Sequence, residues 1–333
     1  MPRNFISLPK AEVHVHLEGT FEIDDIVGLA EANNVPLPRP KEQLFQFPGG
    51  LAEFLTFLDW SCGLVKDADQ MATVALSFSR RMAASGTCYA DAIINPTHWC
   101  HWCQRIPELI EALDVGFKAA ERDGLTPVGL CISLLRQQTS GEAIDLVDTL
   151  ARLRHPRVVA LSIDGNEAAA GRTGSQFAAA FRRAGEAGLK RTVHAGESSG
   201  PEGVWDALEL LGADRIDHGV RAIEDPALVE VLAKRQIPLG ICPTSNVMLG
   251  LYPSLKDHPI ERLRLAGVPV SVNTDDPALL RVKLEEEYVR CADTFNWSNE
   301  DVRTVARTSI EASFAGPTLK KRLTDAIAAW EPA

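Results

Sequence analysis

Residues 13–19 read VHVHLEG, so His14 and His16 stand one residue apart. In an extended segment, residues i and i+2 share a face. The two imidazoles therefore converge, while Val13, Val15 and Leu17 point elsewhere. Two convergent imidazoles are half of a metal site. Further along, VHAGE offers His194 and Glu197, RIDHG offers Asp217 and His218, and VNTDDP offers Asp275 and Asp276. A lone histidine is more often a hydrogen-bonded structural residue; four histidines with several carboxylates argue for chemistry. Three imidazoles and one carboxylate suit zinc with a water in an open position, and His14, His16, His194 and Asp275 can supply them. Glu197, His218 and Asp276 are then free for acid–base work. Zinc brings the pKa of bound water down to about 7, which makes hydroxide available at neutral pH.

These residues act together only if the fold brings them together, and the rest of the chain says how. A rhythm recurs along it: a short apolar strand, a few polar residues, then an amphipathic helix. The strand candidates are Glu12–Leu17, Thr87–Ile94, Thr126–Leu134, Val158–Ile163, Lys190–His194, Arg215–His218, Ile237–Cys242 and Val268–Asn273. Helical patterns lie between them, among them Gln70–Ala84, Ile106–Asp123, Gly141–Leu153, Ser175–Ala187, Gly203–Leu211 and Pro226–Lys234. Alternating strands and helices argue for parallel βα units, and eight units argue for an α/β fold of the closed (β/α)8 TIM-barrel type. An open doubly wound sheet is the alternative, but no Gly-rich dinucleotide loop follows the first strand. Active sites of such barrels lie at the C-terminal strand ends, where the histidines and carboxylates fall. Residues 21–66 are long for one connection and read as inserted helices and turns over the barrel mouth. Residues 299–330 read as terminal helices, and residues 1–333 as one barrel domain.

Bulk properties narrow the partners. A 333-residue chain with 45% apolar and 24% charged residues can bury a sizeable core. Its net charge of −11, with no basic run, speaks against nucleic acid. No stretch approaches the roughly 20 apolar residues of a membrane span. The N-terminus has no apolar secretion signal, so a cytoplasmic protein without membrane partners is expected. The seven cysteines, an odd number, read as reduced thiols. Cys100 and Cys103 form a CxxC without a thioredoxin-like context or a second pair, and read as structural.

HVHLEG, VHAGES, RIDHGV, CPTSN and VNTDDP, in this order, resemble the adenosine/adenine deaminase family of the metal-dependent amidohydrolase superfamily. The resemblance runs from about Leu8 to about Ala312. It implies one zinc ion per chain on His14, His16, His194 and Asp275, and a small-molecule purine as substrate. It further implies that Glu197 donates a proton to purine N1 and that His218 orients and stabilises the attacking hydroxide. Asp276 would bond that hydroxide and purine N7, and Gly165 would offer its backbone N–H to purine N3. The residues suit that chemistry: protonating the ring nitrogen activates the neighbouring amidine carbon, hydroxide adds, and ammonia leaves.

Substrate signals are mixed. Adenosine deaminases usually carry Asp, which contacts the ribose, where Glu18 stands, and Gly where Asp217 stands; Glu18, Asp217 and Asp164 resemble the adenine type. Gly165 and CPTSNVMLG resemble the adenosine type. Adenosine is the first choice, with Glu18 a substrate contact; adenine and N6-substituted adenines are the alternatives. Less specific roles also stand beside these. Asp276, before Pro277, could be a turn or cap; Asp217 could be a surface residue; Ser245 and Asn246 could merely shape a loop; Trp60, Trp99 and Trp102 could simply pack. A two-metal amidohydrolase opening a cyclic amide would want a lysine at the end of strand four, which is missing. A binding protein without activity should have lost a ligand or an acid, yet all seven positions are filled. Nothing in the sequence indicates an oligomeric state.

Overall fold

The computed structural model describes residues 3–48 and 51–332. Eight parallel strands follow one another around a barrel in chain order: β1 (Lys10–His16), β2 (Thr87–Ile94), β3 (Val128–Leu135), β4 (Val158–Asp164), β5 (Lys190–Ala195), β6 (Arg215–His218), β7 (Leu239–Ile241) and β8 (Val270–Val272). Helices cover the outside, as the alternation of patterns requires. The helix Asn299–Ala312 packs against β1 and β8, which confirms the terminal-helix expectation. Strands β2, β3 and β4 are buried along nearly their whole length, and buried parallel strands read as apolar runs in sequence.

β7 and β8 are shorter than their apolar runs, three residues each. The missing ladder at the β8–β1 seam is replaced by side chains. Asn273 Oδ1 accepts from the Val13 N–H (2.8 Å), and Ser309 Oγ accepts from the Ala11 N–H (3.0 Å). At the mouth the seam is closed by backbone: His16 N–H donates to the Asp275 carbonyl (2.8 Å), and Asp275 N–H to the His14 carbonyl (3.2 Å). The barrel therefore closes at three of the residues expected to bind metal.

Between β1 and β2 lie the helices Ile23–Ala32 and Leu51–Cys62. The second of these packs on the turn Glu18–Thr20 at the end of β1, so the insertion reaches the mouth. Residues 49–50 of it fall outside the described residues. Phe45, Phe47, Phe54, Phe57 and Trp60 form a chain of ring contacts there, with centroids 5.3–6.0 Å apart.

The barrel interior carries an ionic cluster. Arg215 Nη1 donates to Asp91 Oδ2 (2.7 Å) and Arg215 Nε to Asp217 Oδ1 (3.1 Å), with all three side chains fully buried. Removing one partner of such a cluster leaves an uncompensated buried charge. Asp91→Ala should cost about 3–5 kcal/mol of stability, read as a lower denaturant midpoint with an unchanged slope.

Candidate active site

Each functional side chain sits at the C-terminal end of a strand. Alternation along β1 turns His14 and His16 inward; β5 adds His194, β6 adds His218, and the segments just after β5 and β8 add Glu197 and Asp275. Three imidazole nitrogens meet: His14 Nε2 is 3.0 Å and His16 Nε2 is 3.1 Å from His194 Nε2. Asp275 Oδ1 lies 3.3 Å from His14 Nε2 and 3.4 Å from His16 Nε2. His218 Nε2 approaches the other carboxylate oxygen, Asp275 Oδ2, at 3.9 Å, and Glu197 Oε1 at 3.4 Å. His14, His194, His218 and Asp275 each bring one donor atom within 4.8 Å of all the others. A second such group, Glu111, Asp114 and His155, lies away from this centre. There Asp114 is already neutralised by Lys118 and Arg157.

The donor set fits a cation. His14 Nδ1–H donates to the Gly240 carbonyl (2.9 Å), so its Nε2 presents a lone pair to the centre. Lone pairs meeting at 3.0–3.4 Å do not satisfy one another, and a tetrahedral ion with ligands at about 2.0–2.1 Å separates its ligands by about 3.3 Å. Burial works against charge on the imidazoles. In His14 the carboxylates of Asp217 and Asp275 outweigh it and raise the group to about 9, so they favour positive charge at Nε2, where a metal cation would take the place of a proton. His194 is pushed well below its ordinary value by burial and by the other three imidazoles.

Two of the residues stand in left-handed backbone conformation, His218 with φ 65° and Asp275 with φ 68°. Such strain costs about 1–2 kcal/mol per non-glycine residue and collects at functional sites. It also corrects the surface alternative for Asp217. Regular alternation points Asp217 inward, fully buried, and the reversed φ turns its neighbour His218 inward as well. Asp217 accepts from Thr192 Oγ1 (2.6 Å) and faces His194 Nδ1 at 3.7 Å. It lies beneath the cluster of imidazoles and Asp275, away from the end of β1 where Glu18 stands.

Other partners escape sequence reasoning. Glu167 accepts the backbone N–H groups of Gly196 (3.0 Å), Glu197 (3.0 Å) and Ser199 (3.2 Å), which fixes the loop carrying Glu197. Burial, followed by the negative charges of Asp275 and Glu167, raises Glu197 to about 8. Ser245 Oγ–H donates to Asp275 Oδ2 (2.6 Å), and Asn246 reaches His218 Nδ1 (3.2 Å); both do more than shape a loop. Arg136 bonds the His194 carbonyl and Thr173.

Asp276 occupies the space a side chain on Gly19 would need: a Cβ there would stand 2.0 Å from Asp276 Oδ1. Its backbone carbonyl also accepts from Leu280 N–H (2.9 Å), so the residue serves a turn as well. Burial, then Asp275 and Glu18, push its carboxyl well above the usual range. Gly165 has φ 98°, a region L side chains rarely adopt. Glu18 is buried; its Oε1 accepts from Asn95 N–H and Trp99 Nε1–H, both at 2.7 Å, while Oε2 has no hydrogen-bond partner among the described residues. Trp99 thus packs and also holds Glu18, whereas Trp102 packs with its Nε1–H on the Val65 carbonyl (2.8 Å).

A parallel barrel with imidazoles and carboxylates converging at its C-terminal mouth defines a hydrolytic amidohydrolase-type enzyme. The chain belongs to the adenosine deaminase family, whose sequence model matches residues 9–330. It is 34% identical to an adenosine deaminase of Serratia proteamaculans over 331 residues, covering 96% of this chain and 98% of that one. Among solved structures it resembles the adenine deaminase of Arthrobacter aurescens, with a TM-score of 0.90, 29% identity and coverage of 97% and 99%. It also resembles a zinc-bound amidohydrolase of Burkholderia ambifaria, with a TM-score of 0.86, 27% identity and coverage of 98% and 94%. The protein is a hydrolytic deaminase of that family. No helix among the described residues is long and apolar enough to cross a membrane.

Proposed function

We propose that this enzyme removes the 6-amino group of a purine, with adenosine as first choice, and that His14, His16, His194 and Asp275 hold one zinc ion. The observation carrying this reading is the convergence of three Nε2 atoms and one carboxylate oxygen at 3.0–3.4 Å, with Glu197 and His218 beside them. His14 and His16 share Asp275 Oδ1, whereas His218 addresses Oδ2, already bonded by Ser245. This supports the reading of His16 as a ligand of the ion and of His218 as a catalytic group. Bound zinc would lower the pKa of water and so make a nucleophile available at neutral pH.

The chain's own residues do the rest. Glu197, kept protonated by its burial, gives its proton to purine N1, which draws electrons from C6 and opens that carbon to attack. His218 steadies the incoming oxygen. Asp276 hydrogen-bonds that oxygen and purine N7. Gly165, free of a side chain, lets its N–H approach N3 closely. N1 keeps that proton; the proton of the added hydroxyl passes to the amino group, C6 becomes a carbonyl, and ammonia leaves.

Adenosine is favoured by the full-length similarity to an adenosine deaminase and by Gly165. With φ 98° and Leu135 Cδ1 only 3.0 Å from where a Cβ would stand, a serine there would be strained. Asp217 no longer counts against adenosine, because it faces His194 rather than a substrate. Glu18 remains the group to satisfy: its unpartnered Oε2 demands a donor, either a sugar hydroxyl or the N9–H of free adenine. Glu18→Gln should therefore lower kcat/KM for the true substrate by about 1–3 kcal/mol, roughly 5- to 150-fold. Specificity constants for adenosine, 2′-deoxyadenosine, adenine and N6-methyladenine test the choice. Adenosine should give the highest value. Efficient turnover of adenine without adenosine would overturn it, and exclusive turnover of an N6-substituted adenine would shift specificity to the aromatic chain between Phe45 and Trp60.

A further inference from the structure

A chain of hydrogen bonds runs away from His218 into the loop after β7, through residues that neither bind metal nor meet substrate in the account above. Ile260 N–H donates to His258 Nδ1 (3.2 Å). His258 Nε2 lies 3.1 Å from Asn246 Oδ1, and Asn246 Nδ2 lies 3.2 Å from His218 Nδ1. Asn246 and His258 are buried, and the ring of Tyr252 packs edge-on against His258 with centroids 5.0 Å apart. We propose that Asn246 and His258 are positioning residues that fix the tautomer of His218, so that its Nε2 carries a hydrogen into the active site.

The direction of every bond follows from the first. A backbone N–H can only donate, so His258 Nδ1 must accept and holds no hydrogen. Burial holds His258 in its neutral form, with its pKa down at about 3, so its single ring hydrogen sits on Nε2. That hydrogen needs an acceptor, which turns the amide oxygen of Asn246 towards His258 and its NH2 towards His218. The amide orientation is thereby set by the backbone of Ile260 and is not free to flip. An amide NH2 can only donate, so His218 Nδ1 accepts, and the hydrogen of the neutral ring lies on Nε2, 3.4 Å from Glu197 Oε1 and 3.9 Å from Asp275 Oδ2.

The consequence separates the two kinds of histidine at this centre. His14 gives its Nδ1–H to a carbonyl and aims a lone pair inward. His218 receives a hydrogen bond at Nδ1 and aims a donor inward. His218 is thus unsuited to bind a cation in this state, although its ring lies only 4.5 Å from that of His14. It is suited to donate to an incoming oxygen and to hold it in line. The inference deepens the reading of His218 given above and rests on it for the catalytic consequence, but the tautomer itself can be observed without substrate.

The test is nitrogen-15 NMR of the histidines in the zinc-loaded protein, joined to two variants. In the wild type, His218 should show a protonated Nε2 and an unprotonated Nδ1. In Asn246→Asp the carboxylate accepts from both rings, so the hydrogen of His218 should move to Nδ1. Its kcat should fall at least about 10²-fold, as expected for a misplaced acid–base group, while zinc stoichiometry stays at one. His258→Leu frees the amide to turn and should lose kcat several-fold, part of which returns in His258→Gln. A hydrogen on Nδ1 of wild-type His218 would overturn the proposal whether or not the variants fold. So would an Asn246→Asp enzyme with wild-type kcat. A wild type that shows the expected tautomer but deaminates no purine would instead overturn the functional reading.

Discussion

Asp275→Ala is expected to abolish metal binding and activity together. Among the described residues, Asp275 is the only carboxylate whose oxygen faces both His14 Nε2 and His16 Nε2, at 3.3 and 3.4 Å. Its backbone also closes the barrel against β1. Alanine keeps those backbone bonds but removes the carboxylate that faces the imidazoles. Loss of an outer partner costs a metal site about 10–100-fold in affinity; loss of a ligand should cost more. Chelator competition on the purified variant should show zinc affinity reduced by over about 100-fold, with turnover lost to the same degree. The fold should persist, since the backbone seam remains, and circular dichroism at the wild-type level would show it. Full zinc occupancy in Asp275→Ala would remove this residue from the ligand set.

Glu197→Gln is expected to lower kcat at least about 10²-fold, the lower range for general acid catalysis, with zinc still bound. Glutamine keeps the size and polarity of the side chain, and the backbone N–H of residue 197 keeps its bond to Glu167. Only the acidic proton is lost. The pH profile adds a second readout. The protonated carboxyl is the active form, and burial sets its pKa at about 8. The wild-type rate should therefore fall as pH rises through that value, and the variant should lack this alkaline limb. Near wild-type turnover in Glu197→Gln would assign the residue a structural role only.

The seven principal residues were legible in the sequence because each stands at the end of an apolar run. β2 and β6 match the apolar runs Thr87–Ile94 and Arg215–His218 at both ends. Strict alternation made His14 and His16 a convergent pair before any fold was known. Alternation failed at RIDHG, where the positive φ of His218 places two successive side chains inside the barrel, so Asp217 resembled a surface residue. β7 and β8 were overestimated because Asn273, Ser309 and the Pro238 and Pro269 carbonyls take over hydrogen bonds that a longer ladder would make. The roles of Glu167, Asn246 and His258 were out of reach for a different reason. Each residue acts through hydrogen bonds to residues 12 to 32 positions away, and such distant bonds leave no periodic trace. Glu18 could be named from its place in HVHLEG, but its bonds to Asn95 and Trp99 required the fold.

The central claim is that a metal held by His14, His16, His194 and Asp275 is needed for purine deamination. The most direct measurement follows the change of ultraviolet absorbance from adenosine to inosine, with ammonia release in parallel, on one enzyme preparation in three states. As purified, the enzyme should convert adenosine with stoichiometric ammonia. After dialysis against a chelator, conversion should fall to background. On addition of about one equivalent of zinc, it should return. Undiminished conversion by protein shown to be free of metal would contradict the account.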